Sequence, residues 1–242
     1  MTKASRVPVI GVLLIGVLCP PAPVSAQQRP VIADQLAKTY GLDSWGQIDA
    51  IRYTFNIEGA LKVSRSWVWE PKTDQISYEG KDKAGNPVKV TYSRSQLASQ
   101  SAVVKDEVDH AFFNDQYWLL FPFHLVWDTS ATVEDAGMQK LPRGKGSAEK
   151  VVVTYPSNVG YTPSDTWELY VGTDGRIREF VFHHGGAAKP SVVIATWAGY
   201  KKAGPLLVST DHPGTADGKP IHLFFSNVAV KLVGSSDWVN AQ

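Results

Sequence analysis

The spacing of apolar residues changes its period twice along the chain, and each change predicts a different kind of element. Val31 to Tyr40 places its apolar residues close to one face at helical spacing, which predicts a helix that ends near Gly41. From Ala50 the period falls to two. Four segments rich in aromatic and β-branched residues are therefore predicted as strands with short links, namely 50–57, 63–70, 74–79 and 87–92.

Helical spacing returns once, at Lys105 to Tyr117, and leads into the most apolar stretch of the chain. Phe112 to Asp128 reads FFNDQYWLLFPFHLVWD, with four phenylalanines, two tryptophans and almost no charge. Pro122 is expected to break this stretch, because proline removes a helical hydrogen bond. Soluble monomers rarely expose so large an apolar segment, so we expect it to plug a core or to form the wall of a binding cavity.

The last part of the chain returns to period two and predicts an antiparallel up-and-down meander. Strands are predicted at 134–139, 149–155, 166–171, 176–184, 191–197, 206–211 and 221–233, which brings the total to about eleven. Strand 191–197 carries apolar residues on both faces, with Val192 and Ile194 on one side and Val193 and Trp197 on the other. A curved sheet wrapped around helices or a ligand would cover both faces in part.

The first 26 residues have the features of a secretory signal peptide. Lys3 and Arg6 precede an apolar run from Val7 to Cys19, and Val24-Ser25-Ala26 is a small-residue cleavage site. The run is shorter than the roughly 20 residues that span a bilayer. We therefore expect cleavage near Ala26, a periplasmic or secreted protein that is not transmembrane once mature, and a single domain over 27–242. Lipidation at Cys19 is the alternative, although Leu18 stands where a small residue is expected.

Charge and cysteine content exclude several classes of function. Loss of Lys3 and Arg6 would leave 22 basic and 23 acidic residues, a net charge of −1, so nucleic acid is not an expected partner. Cys19 is the only cysteine, so the mature chain would contain no disulfide and no thiol nucleophile. The sequence also lacks the G-x-S-x-G, H-E-x-x-H, P-loop and G-x-G-x-x-G motifs. We predict no catalytic residue and no cofactor, and a binding protein rather than an enzyme.

The histidines offer the alternative of a metal-dependent enzyme. Asp211, His212 and His222 flank one predicted hairpin, and direct pairing of the two histidines would place their Cβ atoms about 5 Å apart. Zinc needs three or four such ligands, and these residues lack a compact ligand spacing. The competing interpretation places them as solvated residues at strand ends. His124, inside the aromatic stretch, is expected to be a hydrogen-bonded core histidine.

Seven aromatic residues are candidates to line a cavity for an acyl chain or another apolar ligand. Aromatic walls with a few polar groups are typical of such sites, although the same residues could simply fill a core. On this interpretation the segment Lys105 to Phe123 would act as a lid. The candidates are Trp67, Trp69, Tyr117, Trp118, Phe121, Trp167 and Trp197.

The order of elements resembles the LolA-like half-barrel proteins, the periplasmic lipoprotein carriers and their relatives. The sequences of four blocks are similar to those of exported bacterial proteins with a domain of unknown function: 64–80 (SRSWVWEPKTDQISYEG), 114–128 (NDQYWLLFPFHLVWD), 165–171 (DTWELYV) and 224–232 (FFSNVAVKL). The resemblance implies a mainly β (α+β) fold, a single curved antiparallel half-barrel with helical insertions on its concave face. It also implies an apolar surface that shields acyl chains, but no defining functional residue of the carriers can be placed on this sequence.

The sequence therefore predicts an exported protein that binds or carries an apolar small molecule or lipid in an aromatic-lined cavity. Two alternatives remain open. One is the metal-dependent enzyme, and the other is a cell-envelope module whose aromatic stretch meets a protein partner.

Overall fold

The computed structural model of the chain describes residues 29–59, 61–158, 160–186 and 191–242. The predicted signal peptide and Cys19 lie outside the described residues. The helices are α1 (Val31–Thr39), a 3₁₀ helix (Leu42–Gln47), a second 3₁₀ helix (Arg94–Ser99), a π-helical turn (Val104–Val108) and α2 (Asp109–Trp127). The strands are β1 (Ile48–Gly59), β2 (Val63–Glu70), β3 (Gln75–Lys81), β4 (Pro87–Ser93), β5 (Thr132–Lys140), β6 (Ser147–Thr154), β7 (Thr166–Val171), β8 (Ile177–His183), β9 (Val192–Thr196), β10 (Ala198–Ala203), β11 (Leu206–Ala216), β12 (Lys219–Leu232) and β13 (Trp238–Asn240).

The described strands form one antiparallel sheet in the order β4-β3-β2-β1-β12-β11-β9-β8-β7-β6-β5. Two short strands lie off this path, since β10 pairs with β11 and β13 pairs with β12. The centre of the sheet is the long pairing of β1 with β12, which joins an N-terminal meander to a C-terminal one. The predicted fold class, a mainly β single antiparallel sheet with helices, is confirmed.

The sheet curves around α2, because strands far apart in its order contact the same helix. Trp67 of β2 lies 5.5 Å from Phe112, measured between ring centroids, and Trp167 of β7 lies 4.1 Å from Phe121. These two strands are separated by five others in the sheet order. A flat sheet could not bring both to one helix, so α2 occupies the concave face of a half-barrel.

Helix α1 packs beside α2. It buries Ala33, Leu36 and Ala37, the face that its helical spacing predicts. Just before it, Arg29 donates hydrogen bonds to the main-chain oxygens of Leu125 and Asp128. These contacts satisfy carbonyl groups at the C-terminal end of α2, where a cation also complements the helix dipole.

The predicted break at Pro122 is wrong, because α2 continues through this residue to Trp127. Proline inside a helix costs about 3 kcal/mol, since the main-chain oxygen of Trp118 loses its partner and the ring crowds the preceding turn. The flanking Phe121 and Phe123 are 0% and 1% exposed. Burial of each phenylalanine contributes about 1.5–3 kcal/mol, which offsets the cost of the proline.

Among the described residues the structure has thirteen strands where about eleven are predicted, and the last third forms the predicted antiparallel meander. The missed strands are β10, whose sequence AGYKKA lacks an apolar alternation, and β13, which has three residues. Both β9 and β10 pair with β11 in one continuous register, with Ala195 opposite Gly214 and Ala198 opposite Asp211, so the two strands follow one another along β11. Apolar residues of β9 do cover both faces of the sheet, since Val192 and Ile194 join a small outer cluster around Tyr170 and Val181.

Helix α2 carries buried carboxylates that are bonded to the strands around it. Asp115 is 0% exposed and accepts hydrogen bonds from Arg65 Nε at 2.7 Å and Nη2 at 2.5 Å. The Trp67 indole donates to the same carboxylate at 2.8 Å. Burial raises the pKa of Asp115 even though Arg65 lowers it. A paired buried carboxylate of this kind fixes the rotation of a helix that is otherwise apolar on every side.

Replacing Asp115 with alanine should lower the free energy of unfolding by about 3 kcal/mol, because it leaves the Arg65 guanidinium and the Trp67 indole without their acceptor. Urea denaturation of the mature protein measures this loss. The matched control is Asp34→Ala, which breaks the exposed Asp34–Lys38 ion pair and should change stability little. Equal effects of the two substitutions would show that Asp115 does not anchor α2.

Candidate functional site

A cleft of about 280 Å³ opens at the mouth of the half-barrel, between α2 and the ends of β7 and β8. We call it the aromatic cleft. Its floor consists of Tyr117, Trp118, Trp167 and Phe182, and its polar rim consists of His110, Asn114, Tyr161, Thr162, Asp165, His184 and Ser191. Apolar walls with a few convergent polar groups are the usual composition of a small-molecule site.

Three of the four floor residues have rings that contact one another. Trp118 lies 4.8 Å from Trp167 and 5.1 Å from Phe182, and the last two are 4.7 Å apart between ring centroids. The pairing of Trp167 with Phe182 across β7 and β8 sets this spacing. Because Phe182 is only partly buried, its ring gives the floor an exposed apolar surface.

The rim of the cleft contains a histidine held by a buried acid. Asp165 is 4% exposed, and its Oδ1 lies 3.1 Å from Nδ1 of His184. The same oxygen accepts the main-chain N–H of Gly185 at 2.7 Å. On the other side, the main-chain N–H of His184 donates to the carbonyl of Ser191 at 2.9 Å. Asp165, His184 and Ser191 are thus neighbours in one row across the ends of β7, β8 and β9.

Tyr161 separates the aromatic cleft from a second cleft of about 340 Å³ along α2. Its ring stacks on Phe113 at a centroid distance of 3.9 Å, and its hydroxyl donates to Asp109 at 2.5 Å. Burial and the Asp109 carboxylate raise the pKa of the Tyr161 hydroxyl. Tyr92 also donates to Asp109, at 2.8 Å, so this buried acid ties β4 and the Tyr161 segment to the start of α2.

The second cleft contains a further acid with tyrosine donors. Asp128 accepts hydrogen bonds from Tyr117 at 2.6 Å and Tyr155 at 2.7 Å, and His124 Nδ1 lies 3.1 Å away. Burial alone would raise the pKa of Asp128, but these hydrogen bonds lower it below its ordinary value. The arrangement stabilises the Asp128 carboxylate but presents no reactive group to a ligand, which is consistent with a structural role.

A larger groove of about 560 Å³ lies on the outer face of β1 to β4. Its hydroxyl groups bond to one another across the strands, with Thr54 2.9 Å from Ser66 and Ser77 2.8 Å from Thr91. A still larger depression of about 830 Å³ lies next to it between β1, β2, β3 and β4, so volume alone would favour this part of the sheet. The lining of the groove mixes apolar residues with the charged Arg52, Glu79 and Lys89, whereas the smaller aromatic cleft combines contacting aromatic rings with polar groups, so the aromatic cleft is the stronger candidate for an apolar ligand.

Three of the seven predicted cavity residues line the aromatic cleft: Tyr117, Trp118 and Trp167. The other four belong to the core and do not line it: Trp67, Trp69, Phe121 and Trp197. Among them, Phe121 stacks on Trp167 of the floor, and Trp67 borders the groove on β1 to β4. The segment predicted to act as a lid fills the concave face, and His110 and Asn114 are its exposed positions from Asp109 to Phe123.

Sequence reasoning missed Phe182, Asp165 and Tyr161. Phe182 lies two residues after the buried Phe180 on the same strand, so from the sequence it looks like a second core position. Asp165 and Tyr161 lie in a loop, and no motif singles them out.

The structure brings Asp211 and His222 together but separates His212 from them. His212 pairs with Leu223 and His222 pairs with Pro213, so the assumed direct pairing of the histidines is off by one residue. A shift of one residue places the two side chains on opposite faces. His212 is fully buried against Trp197, whereas His222 lies outside and contacts Asp211 at 2.6 Å. No group of three or more potential metal ligands occurs among the described residues.

No protein-family model matches the chain, and no curated protein matches it. Among solved structures, the chain is similar to a DUF1329 family protein from Desulfovibrio piger, at 10% identity and a TM-score of 0.44 over 87% of this chain and 96% of that one. It is also similar to the Mycobacterium tuberculosis lipoprotein LppX, at 11% identity and a TM-score of 0.29 over 83% and 96% of the two chains. Within the part of the chain that the structure describes, no helix is long and apolar enough to cross a membrane.

His212 should make the protein less stable in mild acid. Burial lowers its pKa from 6.5 to about 4, so the unfolded chain binds a proton that the folded chain does not between those values. The resulting stability is present above pH 6.5 and should fall by roughly 3 kcal/mol as the pH drops to 4.

Urea titrations at several pH values should show this loss in the wild type and a flatter profile in His212→Leu. His222→Leu serves as the control, since this histidine is partly exposed on the outer face. An unchanged pH profile in His212→Leu would contradict the assignment.

Proposed function

We propose that the protein is an exported binding protein that takes an apolar ligand, such as an acyl chain, on the floor of the aromatic cleft. The observation that carries this proposal is the cluster of Trp118, Trp167 and Phe182 at the mouth of the half-barrel, where an apolar surface meets a rim of polar side chains. The predicted signal peptide supports the exported location.

The size of the cleft supports a small apolar ligand or one end of a longer one. Its volume of about 280 Å³ is close to the lower limit of typical ligand sites. Each methylene that the ligand removes from water contributes about 0.8 kcal/mol, so a short acyl segment supplies useful affinity. The remainder of a long chain would extend past the rim, because the concave face beneath the floor is filled by the buried side chains of α2.

The same geometry favours binding over catalysis. Asp109, Asp115 and Asp128 each accept hydrogen bonds from neighbouring side chains, so they are satisfied within the protein. The polar groups of the rim stand beside an aromatic floor that gives an apolar ligand its main contact surface. The function proposed is therefore retention of a ligand in water, with burial as its driving force.

The substitution Phe182→Ala should weaken binding of a fluorescent acyl probe, such as a decanoyl-chain fluorophore, by about tenfold or more. It removes the partly exposed ring of the floor, and loss of a ring contact of this size is worth more than 1.4 kcal/mol. The measurement is a fluorescence titration of the mature protein with the probe, next to a urea denaturation curve for each variant.

The matched control is Phe224→Ala, which removes a second partly buried phenylalanine from a strand. Phe224 lies on the outer face, where its ring stacks on His222 at 4.7 Å. Both substitutions should cost similar stability, but Phe224→Ala should leave probe binding unchanged. Equal loss of binding in the two variants, or no probe binding by the wild type, would refute the proposal.

A further inference from the structure

Asp165 fixes the proton position on His184 at the rim of the aromatic cleft. A carboxylate only accepts hydrogen bonds, so the Nδ1 that lies 3.1 Å from it must carry a proton. Asp165 is 4% exposed, and the Gly185 N–H holds the same oxygen in place. The neutral imidazole then has its lone pair on Nε2, where it can accept a hydrogen bond.

The Nε2 atom of His184 is an available acceptor beside the apolar floor. Within the described ranges it has no hydrogen-bond partner, and the imidazole lies 6.1 Å from the ring of Phe182 between centroids. Three other rim groups use their donor protons within the protein. Ser191 donates to Asp217 at 2.9 Å, Asn114 donates to Asp115 at 3.0 Å, and Tyr161 donates to Asp109.

A ligand whose tail lies on the floor would therefore place its head next to a hydrogen-bond acceptor. We propose that the aromatic cleft selects an amphiphile with a hydroxyl head, which donates its O–H to Nε2 of His184 while its alkyl chain contacts Trp118 and Phe182. This inference rests on the proposed function. A carboxylate head would bring a negative charge towards the buried charge of Asp165, and an ether head would bring no donor at all.

Two ligands of nearly equal length separate the contribution of the head from that of the tail. The pair is 1-decanol and decyl methyl ether, each used to displace the fluorescent acyl probe at pH 8, where free imidazole is neutral. Wild-type protein should prefer the alcohol by about three- to tenfold, the value expected for one net hydrogen bond. His184→Phe keeps a ring at the position but removes the acceptor, and it should bind both ligands equally.

The control for His184→Phe is His222→Phe, which changes a histidine that is also paired with an aspartate but lies outside the cleft. Its Nε2 lies 2.6 Å from Asp211 on the outer face, and this substitution should not affect the preference for the alcohol. Equal affinity of the wild type for both ligands would overturn the hydroxyl selection while leaving apolar binding intact. Retention of the preference in His184→Phe would also overturn it. Failure of both ligands, and of the probe itself, would instead refute the proposed function together with this inference.

Discussion

The structure depends on burying a helix that is apolar all round and yet carries carboxylates. From Asp115 to Leu125 every residue of α2 is buried, and Asp109 before this run is buried as well. Such a helix cannot lie on the surface of a sheet, because its far side would face water. The sheet must curve around it, and the acids must find donors on the surrounding strands. Arg65 and Trp67 supply them on β2, and Tyr92 supplies one on β4.

The aromatic cleft is a consequence of the same arrangement. Between the N-terminal half of α2 and the ends of β7 and β8 an opening remains that these strands do not cover. His110 and Asn114 face this opening, and the Tyr161 ring covers part of the gap by stacking on Phe113. Where that cover ends, Phe182 is only partly buried, and Trp118 lies beside it with 6% of its surface exposed. A binding surface therefore forms where the half-barrel fails to close over its own core.

The sequence allows the strands to be predicted well, because the alternation of apolar and polar residues along each strand indicates which face is buried. Pro122 could not be placed correctly, since its local cost is outweighed by burial of Phe121 and Phe123, which depends on the whole sheet. The pairing of His212 with His222 depended on a register that the sequence leaves open, and an error of one residue reverses the face. The candidate site suffers from a similar limit. Trp118 and Trp197 look alike as sequence, and only the position of the opening decides which of them lines the cleft.

The double role of the floor residues links ligand retention to folding. Trp118 and Trp167 are 6% and 1% exposed, so most of their surface already stabilises the contact between α2 and the sheet. A ligand therefore gains little from these rings unless it also covers Phe182, whose ring is the more exposed member of the set. Because the floor exists only when α2 is docked, any ligand that binds it must favour the folded state over the unfolded one. Binding at the mouth thus reinforces the same helix–sheet contact that creates the cleft.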